Sequence, residues 1–303
     1  MAKINLKKKQ FTLPSYAKIN LGLRIVGKRV DGYHELATIF QQISLHDSLE
    51  FKLSRSAVRC VNVSVEGSPG LTGDENNLVY KAAKLLLDEI HVNIETKILL
   101  KKKIPIGAGL GGGSSNAAVA LMGLNFALGS PLYYDQLHAL AIRLGADVPF
   151  FLRGGTAFAR GIGEKLQRLT DKFDFTIVLL CPDVSVSTKW AYSNLMLESL
   201  EQSKISNLDE LVATSDLYAW RDNLINDFES CVFSNYPQLE ELKNNLYAFG
   251  ADYASLSGSG STVYGVFSDR KMANEACANF RSPLQYFKVK PAYWGLRDLE
   301  SQN

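Results

Sequence analysis

PIGAGLGGGSSNAA, Pro105 to Ala118, sets five glycines and two serines between two runs of different period. Upstream, Ile94, Thr96, Ile98 and Leu100 recur at every second position, which predicts a strand. From Ser114 onward, Ala117, Leu121, Leu124 and Leu128 recur at helical spacing, which predicts a helix with one apolar stripe. Glycines let a main chain approach a ligand closely and take positive φ. The free N–H groups of a helix's first turn attract anions, and the helix dipole adds to that attraction. Ser114 and Ser115 can donate to phosphate oxygens or ligate Mg²⁺. Gly107, Gly109 and Gly112 formally satisfy G-x-G-x-x-G, but the dinucleotide fingerprint needs a βαβ unit with an acidic residue about 20 positions on. Helix, turn and helix follow instead, with no acid before Asp135. The Walker loop needs a Gly-Lys-Ser/Thr end, which is missing here. A plain linker seldom sits at a strand-to-helix junction with two serines at the helix start. These residues favour a phosphate cradle.

The flanking sequence predicts an α+β chain. In PSYAKINLGLRI, Ile19, Leu21, Leu23 and Ile25 alternate with Lys18, Asn20, Gly22 and Arg24 within a strand-rich region at 10–53. Lys18 and Asn20 therefore share one strand face. Asp31-Gly32 marks a turn, and strand patterning resumes from Thr38 to Leu53. A helix is predicted at 77–90. Gly129-Ser130-Pro131 predicts a break and a new helix, with Ser130 as N-cap and Pro131 in its first turn, running to Leu144 before Gly145. A second region opens near 166. It reads as a strand at Phe175–Leu180, helices between about 188 and 248, and strands at Tyr253–Leu256 and Thr262–Phe267 joined by SGSGS (257–261). A helix at 271–280 and a strand at Tyr286–Lys290 complete it. Two domains, 1–165 and 166–303, fit this order better than a regular βαβ series.

Composition narrows the function classes. In 303 residues, 33 Lys+Arg stand against 31 Asp+Glu, a formal charge of +2, which argues against coating nucleic acid or an acidic membrane. With 46% hydrophobic residues the chain can bury a core. No stretch approaches the roughly 20 apolar residues of a membrane span. No apolar run or cleavage site follows Lys7–Lys9, so no signal peptide is expected. Cys60, Cys181, Cys231 and Cys277 form no C-x-x-C pair, and the four histidines show no ligand spacing. The expectation is a cytoplasmic enzyme with no nucleic-acid or membrane partner.

Phosphoryl transfer needs positioning, charge stabilisation and a group to take the acceptor's proton. Asp147, in LGADVPFFL, precedes an apolar run that would solvate its carboxylate poorly, so a nearby cation is needed to keep it charged. Lys18 is the candidate cation, with Asn20 beside it. Plainer readings exist. Asp147 could cap a short helix, Lys18 could be a solvated strand residue, and Lys101–Lys103 could be a solvated strand end. Tyr33 and His34 alone read as a strand-edge aromatic and a solvent-facing histidine, and SGSGS as an ordinary hairpin.

PSYAKINLGL (14–23), PIGAGLGGGSS (105–115) and SLSGSGSTVYG (255–265) together resemble the three signature segments of the GHMP kinase superfamily, in order and spacing across nearly the whole chain. DGYHEL (31–36), LGADVPFFL and NDFE (226–229) narrow the resemblance to the branch acting on a cytidine-diphosphate-linked methylerythritol. The resemblance implies an α+β fold of two domains, the N-terminal one like ribosomal protein S5 domain 2 and the C-terminal one ferredoxin-like. It also implies the substrates ATP and the cytidine-linked polyol, Mg²⁺ as cofactor, and a monomer or weak homodimer.

The same resemblance gives roles to residues. Asp147 would be the base taking the C2 hydroxyl proton, Lys18 would hold it ionised, and Asn20 would orient the polyol. Pro105, Ile106, Gly107, Ala108, Gly109, Leu110, Gly111, Gly112, Gly113, Ser114 and Ser115 would wrap the ATP phosphates, with Ser115 also on Mg²⁺ beside a second ligand that no residue identifies. Tyr33 and His34 would form the cytidine pocket. Tyr192, with Trp190 as rival, would add a second stacking ring. The competing functions are another small-molecule kinase of the superfamily and an RNA-binding module suggested by the S5-like fold. The balanced charge counts against the latter.

Overall fold

The computed structural model describes residues 6–169, 173–195 and 208–301. The part of the helical stretch expected between 188 and 248 that falls on 196–207 lies outside the described residues.

Two long strands organise the first half. β1 (Gln10–Lys28) and β2 (His34–Arg55) pair antiparallel along almost their full length. β2 also pairs with β5 (Thr156–Gly161) through 36–41 and with β4 (Ile94–Lys101) through 48–55. β3 (Cys60–Glu66) lies parallel to β4, and β6 (Lys165–Leu169) closes the other side against β5. This six-stranded sheet therefore runs through Leu169, past the division expected at 165/166.

Four helices follow the sheet's apolar face: α1 (Leu78–Glu89), α2 (Gly112–Ala127), α3 (Tyr134–Leu144) and α4 (Val148–Arg153). Asn77 caps α1 by accepting from the Val79 N–H at 2.9 Å. α2 departs from the one-stripe expectation. It is buried on every side from Ser115 to Ala127, because it is packed among the sheet and the other helices. A helix this apolar all round belongs in the middle of a core.

α3 begins at Tyr134 and not at the predicted Ser130-Pro131 start. Ser130 takes a left-handed φ of 58°. The buried Asn125 side chain accepts from the Leu132 N–H at 3.0 Å and donates to its carbonyl at 2.9 Å. That clamp keeps 130–132 in a turn.

The second sheet has the order β10 (Gln285–Val289), β7 (Thr176–Cys181), β9 (Val263–Phe267), β8 (Tyr253–Leu256), all antiparallel. α8 (Phe228–Asn235), α9 (Pro237–Ala248) and α10 (Arg270–Asn279) cover one face. α5 (Thr188–Ser193), α6 (Leu208–Ala213) and α7 (Leu217–Asn223) fill the edge toward the first domain. Between the sheets, Ile19, Leu21 and Ile39 pack with Ile177, Trp220, Tyr253 and Tyr264 in one apolar cluster. That burial joins the two α+β halves and holds β1 against both.

The chain end, unassigned by sequence, returns to the first domain. Buried Gln42 accepts from the Trp294 N–H at 2.8 Å and donates to the Trp294 carbonyl at 3.0 Å. α11 (Leu296–Glu300) then packs Leu296 and Leu299 into the helical core. All four cysteines are free, and among the described residues no helix is long and apolar enough to cross a membrane.

Candidate active site

Strand alternation puts Lys18 and Asn20 on one face of β1, as expected, but that face is not solvated. Lys18 is 4% exposed and Asn20 2%. The Lys18 ammonium donates to Asn20 Oδ1 at 2.7 Å and to the Gly109 carbonyl at 3.2 Å, and lies 5.1 Å from the centre of the Phe40 ring. Asp147 Oδ2 stands 3.6 Å away. Burial pushes the Lys18 pKa down, while the nearby Asp147 charge opposes that shift.

The capping alternative for Asp147 is not realised. It occupies the residue before α4 yet makes no side-chain bond to that helix. Val148 and Pro149 carry the chain into the apolar core, and the carboxylate, about one-third exposed, turns toward the lysine.

The glycine loop separates two cavities. One, of about 380 Å³, is lined by Pro105–Gly113 and Ser114 together with Asn76, Asn77 and Lys102. The other, of about 780 Å³, is lined by Lys18, Asn20 and Asp147 and also by Tyr33, His34 and Tyr192. Gly109 and Gly111 line both. A Cβ on Gly111 would stand 3.1 Å from the Lys18 side chain and 2.9 Å from the Phe151 ring, so only glycine fits there. α2 starts at Gly112 with no side-chain cap and no acid in its first turn, which leaves its leading N–H groups open to an anion.

SGSGS joins β8 to β9 as a hairpin, and it also docks on the glycine loop. Ser257 Oγ donates to the Gly109 carbonyl at 3.0 Å, and the Thr262 N–H donates to the Ala108 carbonyl at 3.2 Å. The NDFE segment holds it from behind. Asn226 Nδ2 donates to the carbonyls of Leu256 and Gly258, both at 2.8 Å, and Glu229 accepts from the Leu256 N–H at 2.9 Å.

Tyr192 comes from α5, whose first turn Ser187 caps. Its ring stacks on His34 at 5.0 Å between centroids and 20° between planes, while Tyr33 is 61% exposed on the same cavity. Trp190 instead packs edge-on against Tyr236 and is absent from the cavity wall. Burial and then the Lys28 charge lower the His34 pKa, so the imidazole is neutral at neutral pH. Burial raises the Tyr192 phenol to about 12.

Ser115 stands apart from the predicted group. Its hydroxyl is buried against Ser15 Oγ at 2.8 Å, while Ser114 lines the smaller cavity. Ser115 belongs to a buried network that sequence reading missed. Fully buried Asp47 accepts from the N–H groups of Lys103 and Ile104 at 2.7 and 2.9 Å, from Asn116 Nδ2 at 2.9 Å, and from the Lys102 ammonium. Lys102 is therefore no solvated strand end. The available signal was parity: Asp47 shares its strand face with Leu49, Phe51 and Leu53, where a lone carboxylate demands partners.

Comparison with known proteins agrees with this geometry. Models of the GHMP kinases N terminal domain and of the GHMP kinases C terminal match residues 77–155 and 196–285. The chain is 44% identical to the 4-diphosphocytidyl-2-C-methyl-D-erythritol kinase of Chlorobium limicola, covering 89% of this chain and 93% of that one. It is 40% identical to the enzyme of the same name from Syntrophotalea carbinolica, covering 91% and 96%. A crystal structure of 4-(cytidine 5'-diphospho)-2C-methyl-D-erythritol kinase superposes with a TM-score of 0.79 at 32% identity, covering 93% of this chain and all of that one. Homoserine kinase from Cytophaga hutchinsonii shares the fold, with a TM-score of 0.74 at 19% identity over 97% and 98% of the two chains. The chain belongs to the GHMP kinase superfamily of small-molecule kinases, and within it groups with the 4-diphosphocytidyl-2-C-methyl-D-erythritol kinases.

Proposed function

We propose that this protein transfers the γ-phosphoryl group of ATP to the C2 hydroxyl of 4-diphosphocytidyl-2-C-methyl-D-erythritol, giving the 2-phosphate and ADP, a step in isoprenoid precursor biosynthesis. One observation carries this reading: the Lys18–Asp147 pair lies beside a glycine loop that borders two cavities at once. The nucleotide occupies the smaller cavity, with its phosphates on the main chain of 105–115 and the first turn of α2. The polyol occupies the larger one, its C2 hydroxyl at Asp147.

Asp147 accepts the hydroxyl proton as the oxygen attacks the γ-phosphorus, and the bond to the β-phosphate oxygen breaks. Lys18, anchored by Asn20 and Gly109, keeps the carboxylate charged and offsets negative charge as it moves toward the acceptor. Tyr33 and Tyr192 offer aromatic faces to the cytosine. Neutral His34 has one donor and one acceptor for its edge.

The residues fit a nucleotide-borne cation better than a resident one. Among the described residues no group of three or more His, Cys, Asp or Glu could hold a metal, and the Ser115 hydroxyl is already bonded to Ser15. Mg²⁺ bound mainly through substrate phosphates would neutralise charge on them, with the Ser114 hydroxyl, which lines the smaller cavity, as the side-chain oxygen that would join them.

An ADP-release assay with this substrate, mevalonate and homoserine in parallel tests the proposal. Turnover is expected with the cytidyl substrate. Turnover only with either of the others overturns the assignment.

A further inference from the structure

Gly22 is an extra residue in β1. Leu21 faces Ile39 and Leu23 faces Thr38, so the register skips Gly22, which takes a φ of +68°. Its carbonyl accepts the Thr38 hydroxyl at 2.5 Å. A carbonyl can only accept, so the single hydroxyl proton of Thr38 points there. The hydroxyl's lone pairs then face Asn20, whose nitrogen donates at 2.9 Å. With its amino group committed to Thr38, Asn20 presents Oδ1 on the opposite side, where the Lys18 ammonium donates at 2.7 Å. The reverse amide orientation would set an N–H donor against the ammonium and the amide oxygen against the hydroxyl's lone pairs. The polar groups around the Lys18 ammonium, Asn20 Oδ1, the Gly109 carbonyl and Asp147, are acceptors.

We propose that Thr38 is a positioning residue for phosphoryl transfer. Its hydroxyl, polarised by the bulge carbonyl of Gly22, fixes which way the Asn20 amide faces and so holds the Lys18 ammonium beside Asp147. Thr38 is fully buried and acts through Asn20. The groups facing the ammonium are Asn20 of β1, Phe40 of β2, Gly109 of the glycine loop and Asp147 before α4, and only Asp147 is charged. Loss of the Asn20 acceptor disfavours the ammonium form, so Lys18 loses its proton at lower pH.

The kinetic part of this inference rests on the kinase reading, and the titration part does not. Thr38→Val keeps the shape and removes the hydroxyl, whereas Thr38→Ser keeps the hydroxyl. Thr38→Val is expected to lower kcat about 10- to 100-fold with KM values within about threefold. The high-pH limb of the kcat profile is expected to move to lower pH, with Thr38→Ser restoring both. In substrate-free protein, NMR of labelled lysine should show the same downward move of the Lys18 titration in Thr38→Val, which decides the matter even if the cytidyl substrate is not turned over. If Thr38→Val does not fold, neutron diffraction on the wild-type protein reads the Asn20 amide directly. Unchanged kcat and titration in Thr38→Val, equal impairment of the valine and serine variants, or deuterium on the Lys18 side of Asn20 would each overturn the proposal.

Discussion

Ser257 and Gly109, 148 residues apart in the chain, touch so closely that the Ser257 hydroxyl donates to the Gly109 carbonyl at 3.0 Å. A Cβ on Gly109 would fall 2.1 Å from the Ser257 carbonyl, at a φ of +77°. The two glycine-rich loops, one from each domain, therefore meet main chain to main chain.

This contact separates two substitutions of the same kind. Gly109→Ala combines left-handed strain with a clash against backbone and should cost about 3 kcal/mol of stability. It should also weaken ATP binding. Gly107 has a similar φ of +67° but nothing within 4 Å of its missing Cβ, so Gly107→Ala should cost about 1 kcal/mol. Urea denaturation and calorimetric titration with ATP measure both effects.

Asp147→Asn preserves shape and removes the base. kcat should fall about 10²- to 10⁴-fold while the affinities for both substrates stay within a few fold. Near wild-type turnover in a single-turnover measurement would refute the role given to Asp147.

Activity should decline at high pH sooner than an ordinary lysine would dictate. The folded Lys18 pKa lies below the ordinary lysine value because burial outweighs the attraction of Asp147. As pH rises through that lowered pKa the ammonium is lost, and the charge facing the transferring group goes with it. A pH profile of kcat with saturating substrates locates the limb. Lys18→Met should be inactive at every pH.

Tyr192→Ala should raise KM for the cytidyl substrate about 10- to 100-fold, in line with about 1–3 kcal/mol for a stacked base, and leave KM for ATP unchanged. Trp190→Ala, altering a ring that packs on Tyr236 away from the cavity, should change neither KM. Steady-state kinetics on the two variants suffices.

Asp47→Ala should destabilise the protein by about 3–5 kcal/mol, because it strands the buried Lys102 ammonium and the N–H groups of Lys103 and Ile104. Chemical denaturation measures the loss. The glycine loop begins at the next residue, Pro105, so ATP affinity should fall as well.

Period and glycine placement made much of the architecture legible in the amino-acid order. Alternation in PSYAKINLGLRI set Lys18 and Asn20 on one face, and the change of period across 105–118 marked a strand-to-helix loop suited to anions. The four strands of the second domain and its helix α10 begin and end within a residue of their sequence-based bounds. These features are local, since backbone geometry alone gives a strand its period of two and a helix its period of 3.6.

What covers each face is a tertiary matter. No local pattern announces that Lys18 is buried, that Asp147 turns from its helix to meet it at 3.6 Å, or that Ser115 spends its hydroxyl on Ser15. Asn125 overrode a sound N-cap signal at Ser130 through bonds to Leu132 that only the packed core makes available. Residues tens to hundreds of positions apart are brought together by the apolar burial that closes the two sheets on each other. Burial then sets the desolvation that makes each buried charge choose its partner.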